Sequence, residues 1–135
     1  MRLAQSAVRA ALAKKGRDVV VLDMSQAVTY TDLFVLVTGS TTRQTHAIAE
    51  GVRRTLRDEG IRPVRVEGGR AGEWILIDYL DAVVHVFTPE SRAFYRLEQL
   101  WGDVPRLTIA DGEEEREWRF TLEDEGGTGA GEETA

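Results

Sequence analysis

The sequence predicts a single α/β domain, a mixed β-sheet of about five strands flanked by three helices. Three observations lead there. Short β-branched runs bounded by polar residues recur (DVVVLDM at 18–24, LFVLVTG at 33–39, and two runs within 73–88), and such runs read as buried strands. Segments at 2–15, 40–60 and 91–101 place apolar residues three to four apart, the spacing of a helix face. A chain of 135 residues, 42% apolar and 30% charged, suits one modest core.

The first helix carries a stripe of Leu3, Ala7 and Ala11 with Val8 and Leu12 beside it; Lys14 and Lys15 suit its C-terminal dipole and Gly16 its stop. The strands at 18–24 and 33–39 follow, joined by the polar stretch from Ser25 to Asp32. The second helix, 40–60, can be capped by Ser40, Thr41 or Thr42, buries Ile48, Val52 and Leu56, and closes at Gly60. Pro63 opens a short edge strand at 63–68, where its missing N–H does least harm. A Gly-rich loop at 68–72 leads into a hairpin with strands near 74–79 and 82–87. Thr88-Pro89-Glu90 is a helix start, and the last helix turns Phe94, Leu97 and Trp101 or Leu100 inward before Gly102. The order α-β-β-α-β-β-β-α implies a mixed sheet covered by helices.

Charge divides the chain in two. Residues 102–135 hold eleven acids and three arginines, a net −8, whereas 1–101 hold fourteen bases and twelve acids. The first 101 residues therefore read as the folded domain and 102–135 as an acidic, Gly/Glu-rich, largely disordered tail. Within that tail Trp118, Phe120 and Leu122 alternate like a short strand. A nearly neutral body with an acidic tail makes a poor sequence-independent nucleic-acid binder. Arg53, Arg54, Arg57, Arg62 and Arg65 do cluster, which leaves a local anionic contact open beside the reading as a solvated helix face.

No apolar run approaches the roughly 20 residues that cross a bilayer. The N-terminus lacks the apolar core of a secretory signal. Cysteine is absent, in keeping with a cytoplasmic protein, which removes disulfides, thiolate metal sites and a cysteine nucleophile. Neither an H-E-x-x-H zinc motif nor a phosphate loop occurs, so no metal or cofactor is expected. His85 shares a strand face with Val83 and Phe87 and reads as a core histidine, bonded to Asp78 across the hairpin. Gly39-Ser40 joins a strand to a helix N-terminus and is the strongest catalytic signal. A nucleotidyltransferase-like enzyme would use Ser40 with Asp78 and Asp81. Yet such sites need two carboxylates one residue apart on a following strand, and these two stand three apart across a turn.

The remaining signal is an aromatic and charged cluster on the hairpin and last helix: Trp74, Asp78, Tyr79, Asp81, Arg92, Tyr95, Glu98 and Trp101. Such residues dominate protein–protein contacts. Trp101 reads as core, while Trp74, beside the Gly-rich loop, reads equally as exposed or buried.

The order of these residues resembles a known family. Trp74, Asp78, Asp81, Val83-Val84-His85 and Phe87, followed by Tyr95, Leu97-Glu98 and Leu100-Trp101, are similar to the ribosomal silencing factors (the RsfS or Iojap family) over about Asp18 to Trp101. The resemblance implies a nucleotidyltransferase-like core without catalysis or cofactor. It also implies binding to the large ribosomal subunit through its ribosomal protein number fourteen. The bound factor would block joining with the small subunit and repress translation under nutrient limitation, and it would form a homodimer when free. The implied partner surface comprises Trp74, Asp78, Tyr79, Asp81, Arg92, Tyr95 and Glu98. Two departures stand out. Leu80 occupies a turn position that is usually glycine in the family, and the acidic tail beyond Trp101 lies outside the family core and is expected to point outward or to be dispensable for large-subunit binding from 106 on.

Overall fold

The computed structural model describes residues 2–109 and the backbone of 121–122. The elements are α1 (Arg2–Ala13), β1 (Arg17–Asp23), β2 (Leu33–Thr38), α2 (Thr42–Asp58), β3 (Arg65–Glu67), β4 (Trp74–Asp78), β5 (Ala82–Phe87), α3 (Pro89–Tyr95), α4 (Leu97–Leu100), β6 (Pro105–Ile109) and β7 (Thr121–Leu122). They form one mixed sheet in the order β3-β4-β5-β2-β1-β6-β7. Only β2 and β5 run parallel, with Leu33 opposite Ala82 and Thr38 opposite Phe87; every other pair is antiparallel.

Strand alternation sorts the core into two layers. On one face Val19, Val21, Val35, Val37, Ile75, Ile77, Val84 and Val86 meet the apolar stripes of α1 and α2. On the other, Val20, Leu22, Phe34, Leu36, Val83 and Phe87 pack with Met24 and Val104, beneath Leu97 and Trp101. The second face has less helical cover than the first, and Trp74 and Leu76 of β4 are only partly buried there.

Local chemistry sets the element ends. Thr41 caps α2 by accepting from the Gln44 N–H at 3.1 Å, and the Gln44 amide donates to the carbonyls of Lys14 and Lys15, tying α1 to α2. Thr88 caps α3 by accepting from the Ser91 N–H at 3.2 Å, with Pro89 behind it. Gly68 has φ +76°, and a Cβ there would fall 1.9 Å from the Trp74 carbonyl oxygen, so only glycine fits.

Three expectations change. Among the described residues the sheet has seven strands rather than about five, because β6 lies along β1, with Val19 opposite Ile109 and Leu22 opposite Arg106, and β7 pairs with β6. The folded body thus extends past residue 101. A truncation at 106 would strip most of β6 from the sheet and expose the β1 edge. Residues 110–120 and 123–135, with Trp118 and Phe120, lie outside the described residues. The last helix is also broken: Arg96 takes a left-handed conformation (φ 52°, ψ 47°) and separates α3 from α4. That break turns Phe94 and Leu100 outward, 77% and 66% exposed, while Leu97 and Trp101 stay against the core.

Candidate functional site

The residues singled out from the sequence divide into an exposed group and a supporting group. Trp74, at the start of β4, is the centre of the first. Its ring lies 4.5 Å from Tyr95 and 5.2 Å from Phe87 between centroids, and Tyr95 meets Phe94 edge-on at 4.9 Å. Tyr95 is 48% exposed and Phe94 more so. A row of rings therefore runs from the β5 core through Trp74 to the outer side of α3, each ring held by the next. Beside it, Phe94 and Tyr95 line a groove of about 530 Å³ with Ser40, Thr41, Thr42, Glu73, Thr88, Glu90 and Ser91.

His85 anchors this row from below. It is 3% exposed, and its Nδ1 accepts a 3.0 Å hydrogen bond from the Trp74 indole N–H. The expected partner Asp78 is not the one used. Asp78 instead accepts from Arg65 at 3.2 Å and from the Leu80 N–H at 2.9 Å, bracing the β3–β4 edge and the turn. Burial lowers the His85 pKa to about 4, because the charged imidazolium would lose its hydration. The Phe34 ring meets the imidazole edge-on at 4.6 Å, extending the row towards exposed Tyr30.

Tyr79 does not belong on the surface. It is 5% exposed and sits in the layer beneath α1 and α2, continuing the alternation of Ile75 and Ile77. Burial pushes its hydroxyl up to about 12, opposed by the positive charge of Arg53, and the oxygen has no hydrogen-bond partner among the described residues. Arg92 and Glu98 are bound to each other. The Arg92 Nε and Nη2 donate to the two Glu98 oxygens at 3.0 and 2.8 Å, and its Nη1 donates to the Asp18 carbonyl and the Thr38 hydroxyl. This fork locks α3, α4, β1 and β2 together and holds the Glu98 carboxyl below its ordinary range, chiefly through the Arg92 hydrogen bonds. Asp81 is exposed in the turn, and its N–H donates to the Tyr79 carbonyl at 2.9 Å.

The rival catalytic grouping is not assembled. The Gly39 N–H donates to the Phe87 carbonyl, so Ser40 lies at the Phe87 end of β5, whereas Asp78 pairs with Val83. Four strand residues, about 13 Å, separate the two ends. Ser40 therefore cannot act with Asp78 and Asp81. The turn itself is unusual: Leu80, the first of two loop residues, has φ 73° and is bridged by the bond from the Asp81 N–H to the Tyr79 carbonyl, a tight turn in a conformation that favours glycine.

The sequence reading missed Phe94 and Tyr30 as exposed apolar residues, whereas it had marked Leu80 at the turn. The signal for Leu80 was its place in a two-residue hairpin loop; for Phe94 none existed without knowing of the break at Arg96.

A mixed-sheet domain whose open face carries a row of rings, with Arg92 and Glu98 paired behind it, has the build of a docking module. The comparisons say which kind. The model of the family described as "Ribosomal silencing factor during starvation" matches residues 1–129, and the chain belongs to that family. It is 40% identical over 79% of its length to the ribosomal silencing factor RsfS of Halalkalibacterium halodurans, covering 92% of that protein. It is 33% identical over 65% of its length to the mouse protein named "Mitochondrial assembly of ribosomal large subunit protein 1", covering 40% of it. A crystal structure of a Chromobacterium violaceum protein superposes with a TM-score of 0.73 at 37% identity, covering 75% of this chain and 84% of the other. The family match reaches past Trp101, where the sequence resemblance stopped, in step with the extra strand β6.

Proposed function

We propose that this protein silences translation by docking on the large ribosomal subunit, through its ribosomal protein number fourteen, and occupying volume that the small subunit needs. It acts in the cytoplasm under nutrient limitation, without catalysis or cofactor, and forms a homodimer when free. Membership of the silencing-factor family supports the ribosome-directed role, and the name of the mouse relative points to the large subunit.

The observation that carries the docking surface is the ring row of Trp74, Tyr95 and Phe94. Mutually packed rings are already ordered, so little conformational freedom is lost when a partner covers them. Asp81 and the exposed part of Asp78 lie at the far end of the same hairpin and belong to the rim. Tyr79, Arg92 and Glu98 act from behind: Tyr79 fills the core under the turn, and the Arg92–Glu98 pair sets the position of α3 and hence of Tyr95.

Co-sedimentation with purified large subunits tests this surface. Tyr95→Ala removes a half-exposed ring that makes no core hydrogen bond, so it isolates docking from folding. Affinity should fall at least tenfold, in the range of an interface anchor. Wild-type affinity for both Tyr95→Ala and a folded Trp74→Ala variant would remove the ring row from the interface.

A further inference from the structure

On the opposite side of the same sheet edge, the C-terminal half of α2 and the segment entering β3 enclose a recess of about 140 Å³. It is lined by Glu50, Arg53, Arg54, Arg57, Arg62 and Pro63. Four guanidinium groups and one carboxylate give this small concavity a formal charge of +3, more than the whole of residues 1–101 carries. Two of the other acids near in sequence are engaged elsewhere. Glu59 accepts from the Ser6 hydroxyl on α1, and Glu67 pairs with Arg65. Arg54 pairs with Glu50 at 3.2 Å and Arg57 lies 3.9 Å from Asp58, whereas Arg53 and Arg62 have no carboxylate partner among the described residues.

The helix dipole does not explain the cluster, because its pull on cations fades within the last turn. Arg53 and Arg54 lie a turn earlier than Arg57, and Arg62 is outside the helix. Arg53, Arg54 and Arg57 share one side of α2 and, with Arg62, line one concave spot, where an anion would relieve their repulsion. Guanidinium forks match phosphate oxygens in pairs.

We propose that this recess is a phosphate-binding site that takes the RNA backbone of the large subunit, a second contact independent of sequence. This rests on the docking reading above and deepens it. Pro63 lines the recess and the next residue, Val64, donates its N–H to the Asp78 carbonyl at 2.8 Å, so the recess borders the far end of β4, the strand that begins at Trp74. The chain's net charge of −6 makes it a weak binder of free RNA, so the contact forms once the ring row has docked.

The test is the salt dependence of large-subunit binding for the wild type, R53Q/R57Q/R62Q and R53K/R57K/R62K, with Tyr95→Ala as comparison. Each phosphate neutralised contributes about 0.7 to 0.9 to the slope of log affinity against log salt. Removing three cations should make that slope shallower by about 2. Between 50 and 200 mM salt the wild type then loses about 15-fold more affinity than the glutamine variant. The lysine variant should keep the wild-type slope, and Tyr95→Ala should lose affinity at unchanged slope. A glutamine variant that binds with the wild-type slope overturns the phosphate site and leaves docking intact. Absence of binding by the wild type overturns the docking reading, and the phosphate site with it.

Discussion

Replacing His85 by leucine should flatten the acid dependence of folding stability. The folded imidazole titrates at about 4 against an ordinary value of 6.5, because it is buried beneath Trp74 and Phe34. Between those values the unfolded chain binds the proton and the folded protein does not. Stability is therefore greatest above pH 6.5 and falls as pH drops towards 4, by about 3 kcal/mol in all. About 2 kcal/mol of that loss should come between pH 7 and pH 5. Glu98 adds its own loss only in stronger acid, since its carboxyl is held below the ordinary value of 4.5. Urea unfolding of both proteins at pH 7 and pH 5 reads the difference directly. His85→Leu gives up the Trp74 hydrogen bond, about 1 kcal/mol at pH 7, yet should lose less than the wild type on acidification. Equal losses in the two proteins would mean that His85 is hydrated or protonated in the folded state, and the burial argument would fail.

Four further substitutions, at three positions, probe the supporting group and the turn. Tyr79→Phe removes a buried hydroxyl without a partner and should leave stability unchanged or raise it by up to about 1 kcal/mol, whereas Tyr79→Ala should cost about 3 to 5 kcal/mol through the cavity left behind; thermal unfolding distinguishes them. Arg92→Leu strands the Glu98 carboxylate, a quarter exposed, and the Thr38 hydroxyl. Its expected cost in chemical denaturation is about 2 to 3 kcal/mol, with α3 loosened. Leu80→Gly relieves a left-handed leucine, a gain of about 1 kcal/mol offset in part by the greater freedom of the unfolded chain. A raised melting temperature would support the strain, and a lowered one would show that the exposed leucine makes a stabilising contact.

Much of this fold was legible from short-range patterns. Continuous β-branched runs in DVVVLDM and LFVLVTG placed the strands, and threonine caps with proline at the first helical position placed α2 and α3. The failures share a physical cause, which is dependence on contacts remote in sequence. The strand β6 has moderate hydropathy and exists because β1 offers it an edge. The break at Arg96 is held by the Arg92 fork into β1 and β2, so helical spacing carried on through it and set Phe94 on the wrong side. In the site, Trp74 and Tyr95, singled out as rings on the hairpin and last helix, lie against each other at 4.5 Å. Tyr79 was misplaced although its alternation with Ile75 and Ile77 pointed inward. Arg92 and Glu98 looked like free surface charges because six residues of helix and turn gave no hint of their pairing.

Whether the molecule acts as an obstacle is tested most directly by mixing purified small and large ribosomal subunits with saturating protein and resolving the products on a sucrose gradient. Separate subunit peaks with the protein riding on the large one are expected, and Tyr95→Ala should restore joined particles. Full joining in the presence of saturating wild-type protein would contradict a blocking role.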